Sequence, residues 1–222
     1  MGEYTRGQYL HVGEVSAKKR KIYSLIDKIW STVNLEQAFY AVKRNRGSYG
    51  VDNITIKEYE INLEHNLRVL QQSLKNKSYR TKPVRRVYIP KSDGTKRPLG
   101  IPTVEDRIVQ AAVKRKLEPI FEKKFLPCSY GFRPERSAHM AIEKIRKDLM
   151  DGYTYVIDAD IKTYFDSIPH EKLIAMVKEE VVDGSVLALI EQFLKSGVLE
   201  RGIYHESDNG SPQKNYVLEY NP

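Results

Sequence analysis

At 222 residues the chain can bury one good core, or a larger and a smaller lobe. Its 41% hydrophobic and 30% charged residues exclude a disordered polyelectrolyte, and no apolar run approaches the roughly 18 residues of a membrane span. A net charge of +8 favours a polyanionic partner, while the lone Cys128 excludes an internal disulfide and no Cys/His cluster suggests zinc.

The N-terminus lacks the apolar block of a signal peptide, so the expected location is cytoplasmic with no membrane partner. Residues 1–20 read as a polar lead-in that ends in Lys18-Lys19-Arg20-Lys21. From Ile22, the residues Leu25, Ile26, Ile29 and Trp30 follow at helical spacing. A second helix is expected with Asn34 as N-cap before Leu35, Ala38, Phe39 and Val42, stopping at the basic turn Lys43-Arg44-Asn45-Arg46-Gly47. After a loop at Ser48–Asp52, a third helix is expected from Ile56 to Leu74.

Between Lys75 and Arg97 there are nine Lys/Arg residues against one acid, Asp93, with Tyr79 and Tyr88 interleaved. Val87 and Ile89 alternate with Arg86 and Tyr88, the pattern of a strand with one basic face. Ser92-Asp93-Gly94-Thr95 carries a hairpin signal, and Lys96–Pro102 is the return limb. A basic hairpin is as often a solvated surface as a grip on phosphates. If it is a grip, its lysines act as point charges and its arginines as forks.

Thr103 caps the next expected helix, with Glu105 and Asp106 in its first turn and Ile108, Ala111, Ala112 and Leu117 along one face. Pro119 and Pro127 are expected to bracket a short piece at Phe121–Leu126. Tyr130, Phe132 and Arg133 then lie in a loop, and Ser137 caps a helix carrying Met140, Ile142, Ile145 and Leu149. Two further helices are marked by Leu173–Val177 and Val186–Leu194.

Tyr153–His170 reads as a strand running into an acidic turn and then a helix. Period-two alternation places Asp158 and Asp160 on the same face at the strand's end. On this pattern alone, an Asp pair that ends a strand and caps the helix near Pro169 is the commoner reading. The alternative is a divalent-cation site, since Mg²⁺ sites that handle nucleotides use one or two carboxylates plus substrate phosphates.

The string Asp160-Ile-Lys-x-Tyr-Phe-Asp-x-Ile-Pro-His170 resembles the first catalytic motif of reverse transcriptases of the group II intron type. Gly47-Ser-Tyr-Gly-Val-Asp52, Arg86-Val-Tyr-Ile-Pro-Lys91 with Arg97–Arg107, Tyr130-Gly-Phe-Arg-Pro-x-x-Ser137 and Gly210-Ser-Pro-Gln213 resemble further blocks of that family, in family order. The resemblance implies an α+β chain with the right-hand polymerase fold, supplying fingers and an incomplete palm with a helical N-terminal extension. The expected division is a lead-in and helix at 1–33, fingers at 34–150 and partial palm at 151–222.

It further implies Asp160 as a catalytic metal ligand, with the Ile161 carbonyl as a second oxygen, in a site that takes two Mg²⁺ ions when complete. Lys91 and Arg97 would hold the triphosphate of an incoming deoxynucleotide, Phe165 would exclude a 2′-hydroxyl, and Gln213 would line the pocket. Lys75, Lys77, Arg80, Lys82, Arg85 and Arg86 would contact RNA. The implied partners are group II intron RNA, an RNA template with a DNA primer, and deoxynucleoside triphosphates; a homodimer stays open.

The family's Tyr-x-Asp-Asp hairpin occurs nowhere in these residues. The expectation is therefore a truncated or frameshifted RNA-directed DNA polymerase, or an expressed piece of one, inactive alone because one aspartate cannot cage two Mg²⁺ ions. The alternative is a non-catalytic module that binds intron RNA.

Overall fold

The computed structural model describes residues 24–90, 94–161 and 164–211. Leu25 opens a single turn, α1 (Ile26–Ile29), followed by α2 (Thr32–Asn45). Ser31, rather than Asn34, caps α2: its hydroxyl accepts from the Asn34 backbone N–H at 3.4 Å. Asn34 is instead buried inside the helix, where its amide donates to the carbonyls of Ile29 (2.9 Å) and Ala112 (3.1 Å). A buried amide needs such partners, and sequence spacing alone could not reveal that they come from elsewhere in the fold.

The long third helix divides at Asn62 into α3 (Ile56–Ile61) and α4 (Leu63–Lys75). Thr55 and Glu58 form a reciprocal capping box at the start of α3. Strand β1 (Val84–Pro90) pairs antiparallel with β2 (Lys96–Ile101), with Val87 opposite Leu99 and Ile89 opposite Arg97, as a hairpin requires. Helix α5 (Val104–Phe121) starts at the predicted cap: Thr103 Oγ1 accepts from the Asp106 N–H at 3.1 Å.

Pro119 sits inside the last turn of α5 rather than ending it, and a 3₁₀ turn follows at Glu122–Lys124. Ser137 caps α6 (Ala138–Met150) as expected. The remaining elements are α7 (Tyr164–Ser167), α8 (His170–Lys178), α9 (Gly184–Leu194), β3 (Val198–Glu200) and β4 (Ile203–His205).

The sheet order is β2-β1-β3-β4. Strand β1 pairs in parallel with β3 through Val84–Val198 and Arg85–Leu199, so the hairpin arm and the C-terminal strands share one sheet. The core runs across the same join. Phe39, Leu70, Ile108 and Val109 from the front helices cluster with Val181 and Val186 beside α9, all at 1% exposure or less. Asp183 ties the first described residues to this core by accepting from the N–H groups of Leu25 (2.7 Å) and Ile26 (2.9 Å) while capping α9.

One expected strand does not form. Residues 153–161 are irregular, and Tyr155 and Ile157 are 97% and 94% exposed. Alternation makes a strand only where a neighbouring strand supplies hydrogen bonds and another layer covers the apolar face. Among the described residues this segment has neither.

Candidate nucleotide and RNA site

Two of the sequence blocks converge around the root of the basic arm. The Arg107 guanidinium donates to the Ser48 carbonyl at 2.8 Å, and Arg85 donates to the Tyr49 carbonyl (2.9 and 3.1 Å) and Ser48 Oγ (2.9 Å) while lying over the Tyr49 ring. Gly50 lies against the backbone of Thr103: a Cβ there would come within 2.6 Å of the Thr103 Cα and N. Lys82 Nζ lies 3.5 Å from Asp52. Loop 47–52, the arm and the start of α5 are therefore one packed unit.

The arm's root is pinned by a buried carboxylate. Asp106 accepts from Tyr79 Oη at 2.5 Å, Thr103 Oγ1 at 2.7 Å and the Lys82 backbone N–H at 3.3 Å. Burial pushes its pKa up, against the pull of the donors from Tyr79, Thr103 and Lys82. Burial, and next the Asp106 charge, push the Tyr79 phenol well above its ordinary value. The sequence marked Asp106 only as a first-turn acid; its donors come from across the fold.

The cations assigned to RNA contact divide into different settings. Lys75 covers the Trp30 ring at 4.5 Å, Arg80 donates to the carbonyls of Lys77 and Tyr79, and Arg85 is tied to loop 48–49. Lys77 and Lys82 are exposed. Arg86 lines a cleft of about 290 Å³ together with Asp166, Glu200 and Ser211.

That cleft adjoins a clasp between the acidic motif and the last sequence block. The Ser211 N–H donates to the Phe165 carbonyl (2.8 Å), and the Gly210 N–H donates to the Ile168 carbonyl (2.8 Å). His170 Nε2 lies 2.6 Å from the Gly210 carbonyl, and Pro169 bridges Asn209. Gly210 has φ +72°, and a Cβ on it would stand 2.5 Å from the Phe165 carbonyl oxygen. Phe165 itself is 39% exposed and meets the Tyr164 ring edge-on at 5.3 Å. The clasp was invisible in the sequence, although both of its halves had been marked.

Asp158 and Asp160 lie in the irregular stretch before α7, not at the mouth of a sheet as expected. Both are exposed, as is the adjoining Ile161. Among the described residues no three His, Cys, Asp or Glu side chains gather as a metal cluster. Asp160 and the Ile161 carbonyl offer the oxygen donors that hard divalent ions prefer, but two donors fill only part of a coordination sphere. Arg97 is half-buried on β2, opposite Ile89. Lys91 and Gln213 lie outside the described residues, as do the Lys18–Lys21 cluster and Ile22. No helix among the described residues is long and apolar enough to cross a membrane.

Residues 89–217 match the family model described as reverse transcriptase (RNA-dependent DNA polymerase). The chain belongs to the reverse transcriptase family. Within it, this is a chain of the group II intron reverse transcriptase/maturase type. It is similar to the group II intron-encoded protein LtrA of Lactococcus lactis, 42% identical over 151 residues covering 68% of this chain and 25% of that protein. It is 37% identical over 199 residues to the protein YkfC of Escherichia coli, covering 87% of this chain and 52% of that one. A nuclear intron maturase of Arabidopsis thaliana is 34% identical over 120 residues, covering 52% and 17%. The chain thus spans about half the length of one of these relatives and a quarter or less of the others. Reverse transcriptases are nucleotidyltransferases that work with divalent metal ions.

Proposed function

We propose that this chain forms the fingers and part of the palm of a right-hand RNA-directed DNA polymerase that serves a group II intron. In this reading residues 34–150 are the fingers and 151–222 part of the palm. Asp160, with the Ile161 carbonyl, would hold Mg²⁺ at the primer end. When bound, such ions lower the pKa of an attacking 3′-hydroxyl and stabilise the leaving pyrophosphate. Lys91 and Arg97 would neutralise the triphosphate of the incoming deoxynucleotide, and Phe165 would bar a 2′-hydroxyl. Gln213 would complete that pocket.

The observation that carries the reading is the clasp: it places Phe165 beside Ser211, two residues before Gln213. Lys75, Lys77, Arg80, Lys82, Arg85 and Arg86 would form the basic flank along which intron RNA or the template lies. The sequence holds no Tyr-x-Asp-Asp to complete the metal cage. A polypeptide of these residues is therefore expected to bind RNA without extending a primer.

The test measures binding of a group II intron RNA by fluorescence anisotropy across a salt series. Replacing Lys82, Arg85 and Arg86 together by Gln should weaken binding and flatten its salt dependence, while Asp160→Ala should leave affinity unchanged. An unchanged affinity in the triple variant would remove this flank from the RNA interface. Clear primer extension by the unaltered polypeptide would overturn the one-carboxylate argument.

A further inference from the structure

A second cavity, of about 420 Å³, opens between α2, α5 and α9 and reaches the clasp at Ser211. Its walls are chiefly apolar, with Val42, Ala111 and Phe193 among them. Its mouth is basic. The last turn of α2 and its cap bring Arg44 and Arg46 to the surface, both exposed and neither paired with a carboxylate among the described residues. Arg46 lines the cavity itself, as does Lys114, whose partner Glu118 is 3.5 Å away. The volume lies within the usual range of small-ligand sites, about 300–1,000 Å³.

An apolar floor with an aromatic ring, beneath unneutralised arginines, suits a flat apolar group attached to an anion. We propose that this cavity receives one unstacked base of single-stranded RNA, with Phe193 against the base and Arg46 on its phosphate. Arg115, which also lines the cavity and whose guanidinium donates to the uncharged amides of Asn34 and Gln37, extends the positive track to a neighbouring phosphate. That track favours a polynucleotide over a free nucleotide, which would have no use for it. Unpaired RNA bases are commonly bound this way, by aromatic stacking beside backbone-tracking cations. The inference rests on the proposed RNA-binding function and adds where, and in what conformation, one nucleotide is held.

The test uses the whole 222-residue chain and a short single-stranded RNA carrying one 2-aminopurine, with binding followed by anisotropy and base insertion by the probe's emission. Ala111→Phe fills the cavity, and Phe193→Leu keeps the bulk but removes the ring. Circular dichroism checks that each variant folds, and Phe193→Leu carries the test if the larger change does not. Each should weaken binding about 5- to 160-fold, the scale of one lost stacking contact. The salt slope should stay unchanged, because no phosphate contact is lost. Arg46→Gln should instead lower that slope by about one ion.

Wild-type affinity and unchanged emission in both cavity variants would overturn the pocket while leaving the RNA-binding function standing. A wild-type chain that binds no RNA would overturn both. Ser211 also lines the cavity, so a version lacking residues 212–222 is included. If Ala111→Phe and Phe193→Leu leave the RNA affinity of that shorter version unchanged, the cavity takes no RNA base even when the C-terminal residues are gone and the proposal fails.

Discussion

The backbone N–H of Ser211 donates to the carbonyl of Phe165 at 2.8 Å. This bond joins two segments that lie some distance apart in sequence, and Gly210 next to it lets the two backbones approach closely enough to make it. If Phe165 selects the sugar, as proposed, its ring must be held to within a fraction of an ångström. Here the backbone of the ring-bearing residue is braced directly, not through its side chain.

Gly210→Ala should therefore loosen this region. At φ +72° an alanine is strained, and its Cβ would stand 2.5 Å from the Phe165 oxygen. The expected loss is about 1–3 kcal/mol, measured as a fall in the urea midpoint. Gly202→Ala, at φ +84° with open space around it, supplies the control for backbone strain without the clash. Equal losses at the two positions would show that the close approach to Phe165 is not a constraint.

The phenol of Tyr79 predicts an alkaline limb. In the unfolded chain it ionises near its ordinary value of about 10. In the folded chain burial and the Asp106 charge keep it protonated to higher pH. This contribution to stability is therefore complete below about pH 10 and is lost as pH rises beyond it. Tyr79→Phe should cost about 1.5–3 kcal/mol at neutral pH, the worth of a hydrogen bond to a charged group. It should also make the alkaline fall in stability shallower. Tyr59, raised likewise by burial and then by Glu105, would keep part of it. Urea titrations on both sides of pH 10 would show whether the two curves converge, as expected, or run parallel.

Asp183 predicts the acid limb, with the opposite sign. Burial pushes its carboxyl up, but four backbone N–H donors, from Leu25, Ile26, Val186 and Ser185, outweigh that and hold it below its ordinary value. Its contribution is present above about pH 4 and is lost as pH falls through the folded value. Asp183→Ala should cost about 1–3 kcal/mol at neutral pH through lost capping and stranded donors. It should also remove part of the acid sensitivity. A thermal scan series between acid and neutral pH is the check; an unaltered acid profile would assign that sensitivity to other groups.

Local chemistry made most of the helices readable. Thr103 and Ser137 announce their helices within a few residues, and the structure follows them, while Ser92 and Asp93 of the expected turn lie outside the described residues. The cap of α2 was misread because Asn34 is as good a cap as Ser31 on paper, and only its buried partners on α1 and α5 decide between them. Strands β3 and β4 were missed because three residues each carry too little periodicity to register. The strand expected at 153–160 failed for the converse reason: its pattern is clear, but a ladder needs a second chain segment. At the candidate site the blocks are legible as strings, while the contacts that bring them together, the Arg107 guanidinium on the Ser48 carbonyl and the Ser211 N–H on the Phe165 carbonyl, each end on a backbone carbonyl that any residue type supplies.

The contact between Gly50 and Thr103 also bears on how such a protein can diversify. With no room for even one added carbon between the two backbones, position 50 has no neighbouring variant to drift through unless the start of α5 retreats. Randomised libraries built on this scaffold should hold that position fixed and spend their diversity on the arm, whose outer face has space to vary.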